Sequence, residues 1–467
     1  MSAHTVKSFV FKGDSLGVFE LFKNEPHAFF LDSSLHHPQL GRYSFIGFDP
    51  FLVMPGHGPH DLTALRKQFY RYREKERSPY SPFPGGLVGY WSYDLGLALE
   101  KIQRQAKADV VLPDFVFGFY DTVITIDHLK NKLHVISTGH PEKKGSLRTK
   151  RAKQRSAEIC QRLAAQEFDF KKHPALAKKN SAAHALDLQS NFTQREYRSA
   201  VKHALHYIRE GDIYQVNLAQ RFVFDPSPRR FHPTEIYKSL RRQSPSSFTS
   251  YLDCGNFQII SSSPERFLQL KGRSVETRPM KGTRPRGDNV RTDERQRREL
   301  LASPKDKAEL LMITDLERND LGRVCEYGSV RVKTMREIEK YRTVFQATST
   351  VQGILRKDKD AFDLLQACFP GGSITGCPKI RAMQVIEELE PQHRGIYTGA
   401  LGYLSFAGDM DLNILIRTML AYRNKIYFHV GSGIVADSVP QAEYAETLVK
   451  AKALRDCLGE MFVSGRE

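Results

Sequence analysis

The sequence predicts an α+β fold in which large, mostly antiparallel β-sheets pack face to face and are flanked by helices. Runs rich in β-branched and aromatic residues, such as Ala28–Leu31 and Asp121–Ile126, are separated by turn residues such as Pro84-Gly85-Gly86. Later in the chain, a helical repeat is followed directly by a segment with period-two alternation. With 467 residues, the chain can bury a substantial core.

Three regions are expected along the chain. Residues 1–140 read as an N-terminal α/β region with strands and turns. Over 141–190 the composition shifts to Lys, Arg and Ala, which predicts a basic helical linker, exposed and mobile. The signals sharpen over 191–460, where we expect the catalytic domain.

The third region opens with a helix and a strand. Thr193 and Glu196 form a capping box, and apolar residues then recur at helical spacing until Gly211 ends the helix. The next segment alternates with a period near two, which places Gln215 and Asn217 on one face of a predicted strand.

The formal net charge of +17 raises the alternative of a nucleic-acid-binding protein. Much of the excess lies between Lys143 and Lys179, without zinc ligands or an aromatic single-strand signature, so a solvated basic connector is favoured and no nucleic-acid partner is expected. No apolar run approaches the roughly 18 residues that span a bilayer, and no apolar leader follows Met1. We therefore expect a cytoplasmic protein with no membrane contact.

Lys281 is a candidate nucleophile in the segment Glu276–Thr283. An amine attacks carbon only when it is unprotonated, which requires desolvation or neighbouring positive charge. Pro279 and Gly282 predict a constrained turn around it rather than a solvated helix face. A lone lysine is more often a surface residue, so the hypothesis depends on the other segments.

Glu265 is a candidate general acid. The segment Ser261–Glu265 follows the strand-like Phe257–Ile260, which places Glu265 at the end of a strand. A carboxylic acid whose pKa is raised by burial could donate a proton to a departing hydroxyl. A surface glutamate after a turn is the alternative.

Two acidic pairs fall on predicted helices. Asp306 with Glu309, and Glu443 with Glu446, are each spaced to share one helix face, and Lys450 lies on the same stripe as the second pair. Two such faces opposed in space would offer oxygen ligands for Mg²⁺. The alternative is an ordinary solvated face of an amphipathic helix.

A glycine-rich segment, Pro370–Lys379, runs into a predicted helix. Backbone N–H groups exposed there could bind a carboxylate or a phosphate, although a simple loop-to-helix connection is the alternative. Downstream, Arg417 is charged within an apolar, strand-like run, and burial of such a residue calls for an anionic partner.

Taken together, ordered motifs between Asn191 and Leu458 resemble the chorismate-utilising enzymes, a family that includes anthranilate synthase component I, aminodeoxychorismate synthase component I, and isochorismate or salicylate synthases. The matching segments are Asp212–Leu218, Ser262–Glu265, Leu316–Arg323, Pro370–Lys379, Ile416–Thr418 and Gly431–Ser438. The resemblance implies the sheet sandwich of these synthases, with the active site in the C-terminal part.

The resemblance also implies roles for individual residues. Glu309 and Glu446 would bind Mg²⁺ directly, Asp306 and Glu443 would assist through water, and the metal would hold the ring carboxylate of chorismate. Glu265 would be the general acid for loss of the C4 hydroxyl. The residues implied to bind the substrate are Gln215, Gln346, Thr375, Gly376, Tyr397, Arg417, Gly431, Gly433 and Lys450.

Two positions discriminate among the members of the family. Members that add water at C2 carry a lysine base where this chain has Gln215, and a neutral amide cannot abstract that proton. Anthranilate synthases typically have alanine where this chain has Lys281, whereas Pro279–Thr283 resembles the Pro-Ile-Lys-Gly-Thr of the aminodeoxychorismate type. The resemblance therefore implies that Lys281 attacks C2 as Glu265 expels the C4 hydroxyl, after which ammonia enters at C4 and displaces the lysine. The product would be 4-amino-4-deoxychorismate, the precursor of 4-aminobenzoate and folate.

The ammonia is expected from a separate glutamine amidotransferase subunit, component II, in a heterodimer. None of the six cysteines lies in a Gly-x-Cys-x-Gly elbow, and their scattered spacing fits neither a zinc nor a redox site. Three alternatives stay open: anthranilate formation, nucleic-acid binding, and a catalytically silent paralogue that serves as a partner scaffold.

The chain departs from the family pattern at three positions. Gln346 stands where the family commonly has histidine, and Asp306 replaces a glutamate, which shortens its reach by one methylene. The segments Leu31–Ser34 and Arg42–Phe45 resemble those that build a tryptophan pocket in relatives, with Asp32 in place of the usual glutamate, so inhibition or a structural tryptophan stays open. The candidate pocket residues are Ser33, Ser34, Tyr43 and Ser44.

Overall fold

The computed structural model describes residues 4–35, 40–165, 186–341 and 344–462. The helices are α1 (Ser15–Glu20), α2 (Gly58–Tyr70), α3 (Tyr93–Leu99), α4 (Gly145–Ala164), α5 (Gln194–Arg209), α6 (Pro233–Gln243), α7 (Val290–Ala302), α8 (Pro304–Gly322), α9 (Ala361–Cys368), α10 (Lys379–Leu389) and α11 (Pro440–Phe462). A 3₁₀ turn spans Gly372–Ile374.

The strands, in chain order, are β1 (Thr5–Val10), β2 (Phe29–Asp32), β3 (Tyr43–Gly47), β4 (Leu52–Gly56), β5 (Gly86–Trp91), β6 (Phe115–Tyr120), β7 (Thr122–Asp127), β8 (Lys132–Ser137), β9 (Leu188–Ser190), β10 (Gln215–Phe224), β11 (Phe248–Asp253), β12 (Phe257–Ser263), β13 (Arg266–Lys271), β14 (Ser274–Thr277), β15 (Met280–Pro285), β16 (Arg331–Lys340), β17 (Val344–Ile354), β18 (Gly376–Cys377), β19 (Ala400–Ser405), β20 (Met410–Ile414), β21 (Thr418–Tyr422) and β22 (Lys425–Ile434).

These strands form two large sheets in which neighbours pair antiparallel. The twelve-stranded sheet runs β1-β8-β7-β3-β2-β11-β12-β21-β22-β10-β18, with β9 also on β10. The ten-stranded sheet runs β15-β17-β14-β13-β20-β19-β5-β6-β4, with β16 also on β17. The predicted α+β class is confirmed.

Aromatic residues from the two sheets meet in a shared core. Phe45 on β3 lies edge-to-face with Tyr403 on β19 at 5.3 Å between ring centroids, and Phe29 on β2 contacts Tyr120 on β6 at 4.7 Å. Such pairs stabilise a packed interface beyond the burial of their area. The sheets therefore pack face to face, as predicted, and helices cover their outer surfaces.

Early and late strands are interleaved within each sheet. In the twelve-stranded sheet β2 pairs with β11, and in the ten-stranded sheet β5 pairs with β19. Residues 1–140 thus supply strands to both sheets, which also contain strands from residues beyond 191. The division into 1–140, 141–190 and 191–460 stays a prediction about the chain.

The basic segment is partly a packed helix. Helix α4 buries Ile159 against the outer face of the twelve-stranded sheet. Its arginines pair within the chain, Arg151 with Asp121 at 2.9 Å and Arg162 with Glu25 at 2.6 Å. These arginines of the basic segment are therefore paired with acids from other elements, while 166–185 of the predicted linker lies outside the described residues.

Local sequence signals place the elements around the candidate site. The capping box at Thr193 and Glu196 is present, and α5 ends just before Gly211, whose φ is +81°. The following strand β10 begins at Gln215, and both acidic pairs lie on helices, α8 and α11. Among the described helices, none combines the length and apolarity needed to cross a bilayer.

Candidate active site

Lys281 lies on β15, which pairs with β17 and is interrupted by a bulge between Lys281 and Thr283. The sequence predicted a constrained turn here, and the structure corrects this to a bulged strand. Gly282 in the bulge has a φ of +82°, and a Cβ there would lie 2.9 Å from Oδ1 of Asp306. Only glycine fits such a position without strain, and the bulge redirects the neighbouring side chain.

The Lys281 amine is held by one backbone contact. Its Nζ donates a hydrogen bond to the carbonyl of Ser373, at 2.9 Å. Burial lowers the pKa of Lys281 below its usual value, and the carboxylates of Glu309 and Glu265 only partly oppose this. A lowered pKa increases the fraction of neutral amine, which is the form that can act as a nucleophile.

Glu265 lies between β12 and β13, near the strand end where the sequence predicted it, and is 3% exposed. Burial raises the pKa of Glu265 to about 7, although the nearby Ser373 hydroxyl and the Lys281 ammonium favour the ionised form. A buried acid that is partly protonated near neutral pH can serve as a general acid.

Glu309 on α8 and Glu446 on α11 lie close enough for their charges to interact. Burial raises the pKa of Glu309, and the charges of Asp306 and Glu446 raise it further. Burial acts in the same direction on Glu446, but Lys450 at 2.7 Å outweighs it and lowers the pKa of Glu446. Glu309 and Glu446 also both influence Lys281, so the two helices and the amine share one electrostatic environment.

The other acid of each pair, Asp306 or Glu443, has a partner within the protein. Asp306 forms an ion pair with Arg284 at 2.9 Å, and Glu443 accepts a hydrogen bond from Ser438 at 2.6 Å. In the described ranges, no group of three or more His, Cys, Asp or Glu side chains converges into a cluster that could hold a metal ion. Carboxylate oxygens are ligands that magnesium takes, and a magnesium site held by Glu309 and Glu446 stays a prediction.

The glycine-rich loop packs against the start of β10. Thr375 donates its hydroxyl to the carbonyl of Gly371 at 2.9 Å, and Gly376 pairs with Val216. A Cβ on Gly376 would lie 2.1 Å from the carbonyl oxygen of Gln215, so the close approach requires glycine. The loop therefore brings Thr375 and Gly376 alongside Gln215.

Gln215 and Gly433 lie next to the Lys281 amine. A Cβ placed on Gly433 would be 3.1 Å from Nε2 of Gln215 and 3.7 Å from Nζ of Lys281. The Gln215 side chain is fully buried, and neither of its amide atoms has a hydrogen-bond partner in the described part of the chain. Buried amides are normally satisfied, so this one is available to a ligand.

Gly431 contacts two more predicted residues, Tyr397 and Lys450. A Cβ on Gly431 would be 3.1 Å from the Tyr397 hydroxyl, and Lys450 donates to the Gly431 carbonyl at 2.9 Å. The Tyr397 ring stacks on His429 at 5.0 Å, and burial raises the pKa of Tyr397 to about 12. Tyr397 is thus a fixed, neutral hydrogen-bonding group.

Arg417 lies between β20 and β21 in the left-handed region, with a φ of +51°. The predicted strand-like run therefore breaks at this residue, and β21 begins only at Thr418. Burial lowers the pKa of Arg417, opposed by Tyr341. No ion pair or side-chain hydrogen bond joins its guanidinium to any described residue, so this cation is available for an anionic ligand.

Gln346 lies on β17, beside the residue that pairs with Lys281. It is buried, and its Oε1 has no hydrogen-bond partner within the described ranges. Its place in the substrate site stays a prediction.

The candidate tryptophan pocket lies elsewhere in the molecule. Ser33 and Tyr43 line a cavity of about 400 Å³ between the sheets. Ser34 instead donates to the Ser246 carbonyl, and Ser44 donates to Asp32 at 3.0 Å. Two of the four predicted residues thus line the cavity, and the other two donate to the Ser246 carbonyl and to Asp32, which itself lines the cavity.

Sequence reasoning missed Ser373 and Glu317 as parts of the site. Ser373 follows Gly372 in a recognised loop, but its contact with Lys281 spans 92 positions in the chain. Glu317 lies inside the recognised segment Leu316–Arg323, which carried no assigned role. The motifs marked both segments, and only the fold shows what they contact.

Comparisons with known proteins agree with this geometry. A family model described as a chorismate binding enzyme matches residues 29–456. Anthranilate synthase component 1 of Acetivibrio thermocellus is 37% identical and covers 95% of this chain and 92% of its own length. Aminodeoxychorismate synthase component 1 of Bacillus subtilis is 36% identical, covering 97% and 96%. The solved structure of anthranilate synthase component I from Streptococcus pneumoniae has a TM-score of 0.77 at 32% identity, covering 90% of this chain and 93% of that chain. The chain belongs to the chorismate binding enzyme family.

Proposed function

We propose that this chain is an aminodeoxychorismate synthase component I, which converts chorismate and ammonia to 4-amino-4-deoxychorismate. The proposal depends mainly on the amine of Lys281. Burial lowers the pKa of this amine, and Glu265, which is partly protonated near neutral pH, lies in the same electrostatic environment. A neutral nucleophile and a neutral acid together suit displacement of a hydroxyl.

The proposed steps use groups of this chain. The lone pair of the Lys281 amine forms a bond to C2, the ring double bonds shift, and the C4–O bond breaks as Glu265 donates a proton to the leaving hydroxyl. Ammonia then bonds to C4 and gives one proton back to the Glu265 carboxylate, the double bonds shift back, and the C2–N bond to Lys281 breaks. The lysine nitrogen is released as an amine, and no oxidant or reductant is required.

Cationic and polar groups support binding of a dicarboxylate. Arg417 has no anionic partner in the described part of the chain, and Gln215 has an unsatisfied amide. Glu309 and Glu446 would hold Mg²⁺, with Asp306 and Glu443 assisting through water. When bound, the ion would supply positive charge for the ring carboxylate of chorismate.

Anthranilate formation is the second candidate, because relatives of nearly equal identity carry that name. That reaction also begins with loss of the C4 hydroxyl, so Glu265 and the carboxylate-binding groups serve either product. The amine of Lys281 favours the aminodeoxychorismate reaction, since it supplies a nucleophile at C2 that alanine would lack.

The deciding experiment incubates the purified chain with chorismate, Mg²⁺ and ammonium, and identifies the product by mass spectrometry. We expect 4-amino-4-deoxychorismate from the unchanged chain, and a loss of on the order of 1,000-fold or more in Lys281→Ala. Anthranilate as the main product, which is fluorescent and accompanied by pyruvate, would overturn the proposal.

The source of ammonia is tested in the same assay. All six cysteines are free, and three of them, Cys325, Cys368 and Cys457, are buried. Because no thiol elbow is present, we propose that a separate glutamine amidotransferase supplies ammonia. The chain alone should then turn over chorismate with ammonium and show no turnover with glutamine.

A further inference from the structure

The segment Leu316–Arg323 forms the C-terminal part of α8, and the proposed mechanism leaves it without a role. Its Glu317 is 2% exposed and makes two contacts with different elements. Oε1 accepts a hydrogen bond from the backbone N–H of Gly372 at 3.1 Å, and Oε2 accepts one from the Thr277 hydroxyl at 3.2 Å. One carboxyl group thus joins the glycine-rich loop to the end of β14.

Both hydrogen-bond partners of Glu317 are linked to Lys281, the proposed nucleophile, one through the chain and the other through a hydrogen bond. Thr277 ends the strand that precedes β15, four positions before Lys281. Gly372 precedes Ser373, whose carbonyl accepts the hydrogen bond from Lys281 Nζ. A Cβ on Gly372 would lie 2.6 Å from Cδ2 of Leu316, so the loop rests tightly on the helix.

The protonation state of Glu317 suits a neutral contact. Burial raises the pKa of Glu317 to about 8, and the charge of Asp320 acts in the same direction. Lys379, which opposes these effects, is itself paired with Asp320 and donates to the Cys368 carbonyl. A protonated Glu317 keeps an acceptor for Gly372 and can exchange a hydrogen bond with the Thr277 hydroxyl.

We propose that Glu317 is a positioning residue that holds the glycine-rich loop against the strand leading to Lys281, so that the Ser373 carbonyl fixes the amine near Glu265. Glu317 acts through Ser373 and Lys281 and does not itself need to touch the substrate. The proposal rests on the proposed function, in which Lys281 is the nucleophile.

The first test compares three substitutions at this position. Glu317→Gln keeps the length and both hydrogen-bonding atoms, so we expect kcat within about threefold of the unchanged chain. Glu317→Asp cannot bridge both partners and Glu317→Leu has no polar atom, so each should lower kcat about 100-fold while KM for chorismate changes less than about threefold. Asp315→Asn, on the exposed face of the same helix, is the matched control and should leave both constants unchanged. Higher activity in Glu317→Asp than in Glu317→Gln would overturn the proposal, because it would assign the effect to charge.

A second test does not depend on turnover. The pH midpoint for acetylation of Lys281 is measured by peptide mass spectrometry, with the exposed Lys452 as the internal reference. The midpoint should lie below that of Lys452, and Glu317→Leu should raise it by about one unit as water enters the loosened site. An unchanged midpoint would overturn the proposal even if chorismate is consumed.

The two readouts also separate this inference from the proposed function. A shifted midpoint in a protein that does not consume chorismate would support the role of Glu317 and contradict the assigned reaction. If Glu317→Leu fails to fold, Thr277→Val removes the other end of the contact with nearly the same shape. It should shift the Lys281 midpoint in the same direction, and no shift would overturn the proposal.

Discussion

Two buried polar regions of this molecule differ in how far they are satisfied by the protein itself. Around Asp32, both carboxylate oxygens are occupied, Oδ1 by Ser15 and Ser44 and Oδ2 by Tyr237 and Arg241. Burial opposes ionisation of Asp32, but Arg241 outweighs it and lowers the pKa of that carboxyl.

Around Lys281, by contrast, several buried groups lack partners. Both amide atoms of Gln215 and Oε1 of Gln346 make no hydrogen bond within the described residues. Since native proteins leave few buried polar atoms unpaired, such a concentration marks a place that a ligand completes. The comparison teaches that burial of charge is shared by both regions. The Asp32 carboxylate is fully paired, whereas the buried amides around Lys281 are not.

The largest expected effect tests the proposed general acid. Glu265→Gln keeps the shape of the side chain but removes the transferable proton, so kcat should fall on the order of 1,000-fold. Ammonium-dependent turnover of chorismate measures it, and unchanged chorismate binding in a calorimetric titration confirms that the site is intact. A loss below about tenfold would contradict the assignment of Glu265 as the general acid.

The opposite result is expected in the paired region. Asp32→Asn leaves the buried Arg241 without its nearest carboxylate, which should destabilise the fold by about 3 kcal/mol while kcat stays unchanged. Urea denaturation monitored by circular dichroism measures this. Glu294→Gln removes a partner of Arg298 in an exposed ion pair and is the control, with an expected change below about 1 kcal/mol. A stable Asp32→Asn variant with impaired kcat would contradict the expectation that the Asp32 region supports folding and not turnover.

Arg417 should behave as a binding group that contributes nothing to folding. Arg417→Gln should raise KM for chorismate about 30-fold, because a hydrogen-bonded charge pair with the substrate is lost. Its stability should stay equal or increase, since a half-buried cation without a partner is removed. Arg423→Gln is the matched control, since Arg423 also has a positive φ but is exposed on the neighbouring turn. A loss of stability in Arg417→Gln with unchanged KM would contradict this role.

The sequence predicted the parts of this site better than their contacts. Local patterns identified the helix that begins after Thr193, the strand end at Glu265 and the acidic helices, because capping and periodicity act over a few residues. The bulge at Gly282 and the left-handed Arg417 were not predicted, since pairing with distant strands imposes both conformations. The hydrogen bond from Lys281 to Ser373 depends on the same long-range pairing.

The pH dependence of turnover offers the finest test of the pair at the centre of the site. Lys281 must be neutral, and its pKa is lowered from that of an ordinary lysine, so its reactive fraction rises with pH. Glu265 must be protonated, and burial raises its pKa to about 7, so its reactive fraction falls as pH increases through that value. The two requirements together give a bell-shaped profile. The measurement keeps the concentration of free NH₃ constant across the range, because the supply of this substrate otherwise rises with pH. The falling limb should disappear in Glu265→Gln, whose side chain does not titrate, and a falling limb that persists in this variant would assign the acid to another residue.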